Sequence, residues 1–180
     1  MDEPAAPYRR VPTDEQAPMN THDTYRRRVN ALAIVASAAF FGGNLFIGLS
    51  MGGYWLSLEP LAFMHGFWGQ FTAFLYTIMP LFLLTLVGLV LSARLDWQQP
   101  QLKRLWLWAI GLYVVVSLIT LGYHMPENLR LHAALYTAEE AAAARVYWLA
   151  GHVPRILLSL GIPLLALRAV TDRLSFAKAA

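Results

Sequence analysis

Charged side chains are nearly absent from four long stretches of this chain, and that absence limits the folds open to it more than any other feature. No Asp, Glu, Lys or Arg occurs from Val29 to Leu58, from Pro60 to Ala93, or from Leu105 to Pro126, and Val146 to Leu167 holds Arg155 alone. A helix needs roughly 20 apolar residues to cross the hydrocarbon core of a bilayer, and each stretch meets that length. A soluble domain carries about a quarter charged residues, whereas this chain of 180 residues has 14% charged and 57% hydrophobic. The expected fold is therefore all-α, an integral-membrane four-helix bundle running up-down-up-down. Helices are expected over about 29–56, 61–92, 105–123 and 138–169.

Lys and Arg set the orientation. Arg9, Arg10 and Arg26–Arg28 precede the first span, Arg94, Lys103 and Arg104 fill the second connection, and Arg168, Arg173 and Lys178 follow the last span. The opposite side carries Arg130 and Arg145. The positive-inside rule then predicts both termini to be cytoplasmic. The expected location is the bacterial inner (plasma) membrane, crossed several times. Residues 1–28 are expected to form a disordered basic cytoplasmic tail and 171–180 a second, short one, with the transmembrane domain at 29–170. There is no cysteine, which excludes disulfides and thiolate metal sites.

Local signals refine this outline. Pro60 suits a first helical turn, and Pro80 leaves the Tyr76 carbonyl without its usual donor. Trp106 and Trp108 stand where an aromatic belt is expected. Thr137 to Glu140 spells a capping box that opens the last helix. That helix is about 48 Å long at ~1.5 Å per residue, so it must project or tilt, and Pro154 and Pro163 are expected to bend it. The connection from 124 to 144 is expected to cover the outer mouth of the bundle.

Polar intramembrane residues collect toward the outer side. His65 and Gln70 lie on helix two, His124 ends helix three ahead of Glu127 and Asn128, and His152 and Arg155 lie on helix four. Asn44 lies on helix one at overlapping depth. Trp148, His152 and Arg155 share one helical face, as do His65, Trp68 and Thr72. Two faces that each present an indole beside an imidazole suit an aromatic-walled pocket for a planar organic molecule. Intramembrane ionisable residues mark functional sites by default, and Glu127 is expected to pair with Arg155 or with a ligand.

The segment from Thr120 through Pro126 and Asn128, followed by Trp148, His152 and Arg155, resembles the anthrone oxygenase-like four-helix membrane proteins. In those proteins a Thr and a Pro-x-Asn element close helix three, and a Trp, a His or Asn, and an Arg three residues later lie in helix four. Gly43-Asn44 and the Pro60 region are similar to the family's first half, and the likeness extends over roughly residues 30–170. It implies oxidation of a planar lipophilic phenolic or quinone-like substrate by dioxygen, without a bound cofactor. This chain adds His65, His124 and Glu127 to the pattern.

The leading expectation is a membrane oxidoreductase of this oxygenase type. His152 is the expected general base, Arg155 with Asn128 or His124 stabilises the resulting oxyanion, and Trp68 and Trp148 sandwich the rings. His65 and His124 complete the catalytic candidates, and Asn44, Gln70 and Glu127 complete the substrate-binding ones. Two alternatives use the same residues. One is a haem or copper centre held by His65, His124 and His152. The other is a non-catalytic carrier or accessory protein, for which Gly42-Gly43 and Gly52-Gly53 permit close helix approach and a homo-oligomer. The bilayer is the expected surrounding, and no nucleic-acid partner is expected. Ion conduction is disfavoured because the inner half offers no polar path.

Overall fold

The structure is a computed structural model that describes residues 21–179. The helices are α1 (Thr21–Phe46), α2 (Gly52–Ser57), α3 (Pro60–Leu95), α4 (Pro100–Ile119), α5 (Met125–His132) and α6 (Ala138–Ala179). A π-helical turn, Ile47–Met51, joins α1 to α2, and another, Thr120–His124, joins α4 to α5. Among the described residues there are thus four membrane-length spans, Thr21–Ser57, Pro60–Leu95, Pro100–His132 and Ala138–Ser175. The all-α, four-span membrane architecture expected from the uncharged stretches is present. Short connections at Leu58–Glu59, Asp96–Gln99 and 133–137 make successive spans antiparallel.

Every span is longer than its apolar stretch. The first begins at Thr21, so Arg26–Arg28 are helical and not part of a tail, while residues 1–20 lie outside the described residues. The third begins at Pro100, and the last runs to Ala179 through the expected second tail. The apolar stretch measures the hydrocarbon thickness. Backbone hydrogen bonding within a helix continues beyond it into the polar zone, where side chains find water.

The expected long connection after His124 is also replaced by helix. Pro126 falls in the first turn of α5, where its missing N–H is not needed. Its inability to donate re-registers the preceding bonds into the π-turn. A Schellman closure ends α5: Leu135 N–H donates to Arg130 O and Ala134 N–H to Leu131 O, with Ala134 left-handed at φ 51°. The expected capping box follows, Thr137 N–H donating to Glu140 Oε2 at 2.8 Å and Glu140 N–H to Thr137 Oγ1 at 3.3 Å.

The two halves of the bundle pack differently. Toward the Asp96 end, Ala33, Ala93, Ala109, Ala166 and Ala169 surround Leu102, Trp106 and Ile162. Small residues let helices approach closely where lipid supplies no hydrophobic drive between them. At Gly88 the neighbour is backbone, because a Cβ there would stand 2.7 Å from Ala33 Cα and 2.8 Å from its N. Gly43 and Gly52 also face helix neighbours, whereas Gly42 and Gly53 face open space. Toward the Glu59 end, Trp55, Phe63, Phe67 and Trp148 fill the centre.

Trp106 departs from the aromatic-belt expectation, being fully buried where Trp108 is exposed. Its indole N–H donates to Asp96 Oδ2 at 2.8 Å, and Asp96 Oδ1 stands 3.3 Å from Arg173 Nη1. A buried carboxylate requires such partners, so Trp106 is drawn inward to supply one.

Gly88→Ala should therefore cost about 1–3 kcal/mol, because Ala33 backbone cannot yield without moving α1. Gly111→Ala, with nothing within 4 Å of its Cβ position, should stay within about 0.5 kcal/mol of wild type. Denaturation of the two variants in one detergent checks the contrast, and equal losses would contradict this packing.

Candidate functional site

Five buried polar residues, Asn44, His124, Asn128, His152 and Arg155, converge from α1, the second π-turn, α5 and α6, with Arg155 as the most demanding among them. A guanidinium in the middle of a span must find acceptors inside the protein. Arg155 Nη2 donates to Asn44 Oδ1 at 3.1 Å, and Nη1 lies 3.2 Å from His152 Nδ1. His152 Nε2 reaches the Asn44 backbone carbonyl at 2.9 Å. Asn44 Nδ2 in turn donates to Phe40 O at 2.9 Å. A carbonyl only accepts and a guanidinium only donates. The arrangement therefore uses a neutral His152 with its proton on Nε2 and its Nδ1 lone pair turned to Arg155.

The backbone makes room for this clamp. The π-turn Ile47–Met51 begins just past Asn44, where the His152 side chain enters the helix ladder. Gly48 leaves space for the imidazole, since a Cβ there would stand 3.1 Å from His152 Cδ2. Trp148 stacks on the other face of His152, centroids 5.1 Å apart at 14°. The indole N–H of Trp148 donates to Asn128 Oδ1 at 2.7 Å. Trp148, His152 and Arg155 thus share a face as their spacing predicts, with Asn128 holding the first and Asn44 the other two.

His124 completes the cluster with a different character. Its ring lies 4.7 Å from Trp148 and 5.7 Å from His152, edge-on to both. It is 1% exposed, and neither ring nitrogen has a hydrogen-bond partner. The Gly151 carbonyl faces the ring but does not meet hydrogen-bond geometry. Leaving a buried polar group unpaired costs roughly 1–3 kcal/mol. His124 also sits at the end of its π-turn, a distortion that recurs at functional sites.

Beside this cluster lies a cavity of about 320 Å³, at the small end of the roughly 300–1,000 Å³ typical of ligand pockets. Its apolar wall combines aromatic rings, from Phe40, Trp55, Phe71, Phe74, Phe82 and Trp148, with aliphatic side chains such as Ile47, Leu75 and Ile78. Its polar border consists of Ser117, Thr120, His124, Asn128 and Arg155. A planar apolar body with one oxygen-bearing edge matches that distribution.

Other expected residues lie elsewhere. His65 is exposed and does not join His124 and His152, and among the described residues no three His, Asp or Glu side chains are grouped to hold a metal. Trp68 stacks on His132 at 4.1 Å, and the indole that meets Trp148 is Trp55, at 5.3 Å. The expected Trp68–Trp148 sandwich is replaced because Trp68 turns to α5. Gln70 serves the cavity wall indirectly, accepting from Trp55 Nε1 at 2.6 Å. Glu127 does not pair with Arg155. It accepts from Tyr136 Oη at 2.6 Å and lies 3.8 Å from Arg130. Burial and this hydrogen bond hold the Tyr136 hydroxyl above its ordinary pKa, so it remains a donor at neutral pH.

Two contributors escaped the sequence reading. Phe71, Phe74, Ile78 and Phe82 line the cavity from one helical face of α3, a spacing that signals the cavity wall. Arg145 is buried and caps α2 by donating through Nη1 to Trp55 O at 2.6 Å and Leu58 O at 2.7 Å. Its place near the helix end concealed this bond, which closes between residues distant in sequence.

No protein-family model, curated protein or solved structure matches this chain. The resemblance to anthrone oxygenase-like proteins therefore rests on the sparse residue pattern alone.

Asn44→Leu should lower stability by roughly 2 kcal/mol, because it removes an acceptor from a buried guanidinium. Thermal unfolding in detergent tests this, and an unchanged midpoint would show that Arg155 does not depend on Asn44.

Proposed function

We propose that this protein is a membrane oxidoreductase that binds a planar, lipophilic phenolic or quinone-like molecule in the aromatic cavity and oxidises it with dioxygen. The observation that carries the reading is His124, a buried imidazole with no partner for either nitrogen, on the border of a cavity walled by aromatic rings. A ligand hydroxyl or carbonyl meeting that ring recovers the cost of its unpaired burial. The aromatic walls supply ring contacts over the rest of the molecule.

His124, and not His152, is the general base in this scheme. Both nitrogens of His152 are committed, to Asn44 O and Arg155, so its role is to position the guanidinium. A turn of the His124 ring presents its lone pair to an acidic C–H or phenolic O–H. Proton removal yields an enolate or phenolate, and Arg155 supplies fixed positive charge for the developing oxyanion. For an anthrone-like substrate, the ring CH2 loses two hydrogens and gains one oxygen from dioxygen to become C=O. The second oxygen atom leaves as water.

The distribution of Lys and Arg supports cytoplasmic termini and a cavity in the outer half of a plasma membrane, with the Glu59 end outward. The competing reading, a carrier for the same class of molecule, needs the cavity and no proton transfer.

Oxygen uptake with anthrone or a hydroquinone, by protein reconstituted in vesicles, tests the enzyme reading. His124→Ala should lower the rate by about 100-fold or more, the scale of general-base catalysis, while His65→Ala should leave it unchanged. Full activity in folded His124→Ala protein would remove His124 as the base. Saturable binding without oxygen uptake would favour the carrier.

A further inference from the structure

The cavity does not close against the lipid-facing side of the bundle. Helix α3 packs on α4 through the Asp96-end core, which holds Leu89, Ala93, Leu102 and Trp106, and there Tyr113 Oη donates to Phe82 O at 3.2 Å with the two rings stacked 4.7 Å apart. Nearer the Glu59 end α3 meets α5, through Trp68 stacked on His132. Trp68 and Phe82 are separated by about 21 Å along the helix axis, at ~1.5 Å per residue. Between these two latches the π-turn Thr120–His124 packs mainly on α4, α5 and α6. The cavity lining reaches the outer surface in this interval, at Met79 on α3 and Leu121 on the π-turn. Met79 is 46% exposed and Leu121 66% exposed.

This opening is apolar and lies in the middle of the spans. Leu75, Met79 and Leu121 rim it, Leu118 and Tyr76 flank it on the lipid side, and all are uncharged. Pro80 follows Met79 in α3 and cannot donate to Tyr76 O. The polar border of the same cavity holds His124, Asn128 and Arg155, all three buried. The site therefore has a polar end deep in the bundle and an apolar end open to acyl chains.

We propose that the interval between the Trp68–His132 and Phe82–Tyr113 contacts is a lateral portal. The ligand is a head-and-tail amphiphile, with its planar oxygen-bearing ring inside against His124 and its alkyl or isoprenoid chain passing out between Met79 and Leu121 into the bilayer. This rests on the cavity reading above and extends it to the ligand class and its route of entry. A cavity of about 320 Å³ accommodates the ring, and the chain remains in a solvent as apolar as itself, so its burial is not interrupted on binding. Ligands of this class reach the site by diffusion within the membrane.

The test uses a decyl-substituted benzoquinone carrying a photoactivatable diazirine at the middle of its chain, with wild-type protein in phosphatidylcholine vesicles. Binding of the head is followed separately, by competition with unlabelled tailless benzoquinone. Expected are crosslinks on the segments around Met79 and Leu121, lost on adding excess tailless quinone. Leu121→Trp should narrow the portal and reduce this labelling by about tenfold, while its unfolding midpoint stays at the wild-type value, since the side chain faces lipid. Competable crosslinks on Leu58, Tyr136 or other Glu59-end residues would overturn the portal and leave the cavity as the binding site. Labelling around Met79 and Leu121 that excess tailless quinone does not displace would mean ordinary lipid-like contact and would also overturn it. Absence of any competable head binding would defeat the portal and the functional reading together.

Discussion

Arg155 is the constraint around which the Glu59 half of this bundle is organised. A guanidinium held within a membrane span has no water to turn to, and its neighbours meet that demand in sequence and in space. Asn44 gives its side-chain oxygen to the guanidinium and its backbone carbonyl to His152, which in turn accepts from Arg155. The clamp joins α1 to α6, locally widens the end of α1 into a π-turn, and fixes the plane of His152 on which Trp148 stacks. Trp148 then anchors Asn128 on α5. A single buried charge thus sets the relative positions of three spans.

The same network explains why His124 differs from His152. Two imidazoles lie close together in one apolar setting, yet one is saturated and the other has no partner. The saturated ring is structural, and proton traffic through it would break the clamp. The unpartnered ring costs stability without returning any in the empty protein. What sets His124 apart from other unpaired buried groups is its place on the cavity border, where the proposed ligand would meet it. Small alanines pack the Asp96 end, and Trp55, Phe67 and Trp148 pack the Glu59 end, beside which the cavity lies.

Much of this was legible in the sequence, and what was not has a physical reason. The uncharged stretches give the spans because hydrocarbon thickness sets a minimum apolar length, but helices cross that boundary freely, so Thr21–Arg28 and Met125–His132 were hidden. Helical spacing gives the shared face of Trp148, His152 and Arg155. It does not give rotation about each helix axis relative to its neighbours. That rotation turns Trp68 toward His132, exposes His65, brings Trp55 to Trp148 and directs Glu127 to Tyr136. Trp106 was misplaced for a related reason, since its need to satisfy Asp96 depends on a contact that local pattern does not encode.

The central claim is that His124 is the ligand-facing imidazole while His152 is locked. Nitrogen-15 NMR of histidine-labelled protein in vesicles, with and without a saturating tailed benzoquinone, tests it directly. The account predicts that the ring nitrogens of His124, identified by loss of their signals in His124→Gln, change on ligand addition, while those of His152 keep the pattern of a neutral ring protonated on Nε2. A His124 spectrum unchanged by bound quinone, or a ligand response confined to His152, would contradict it.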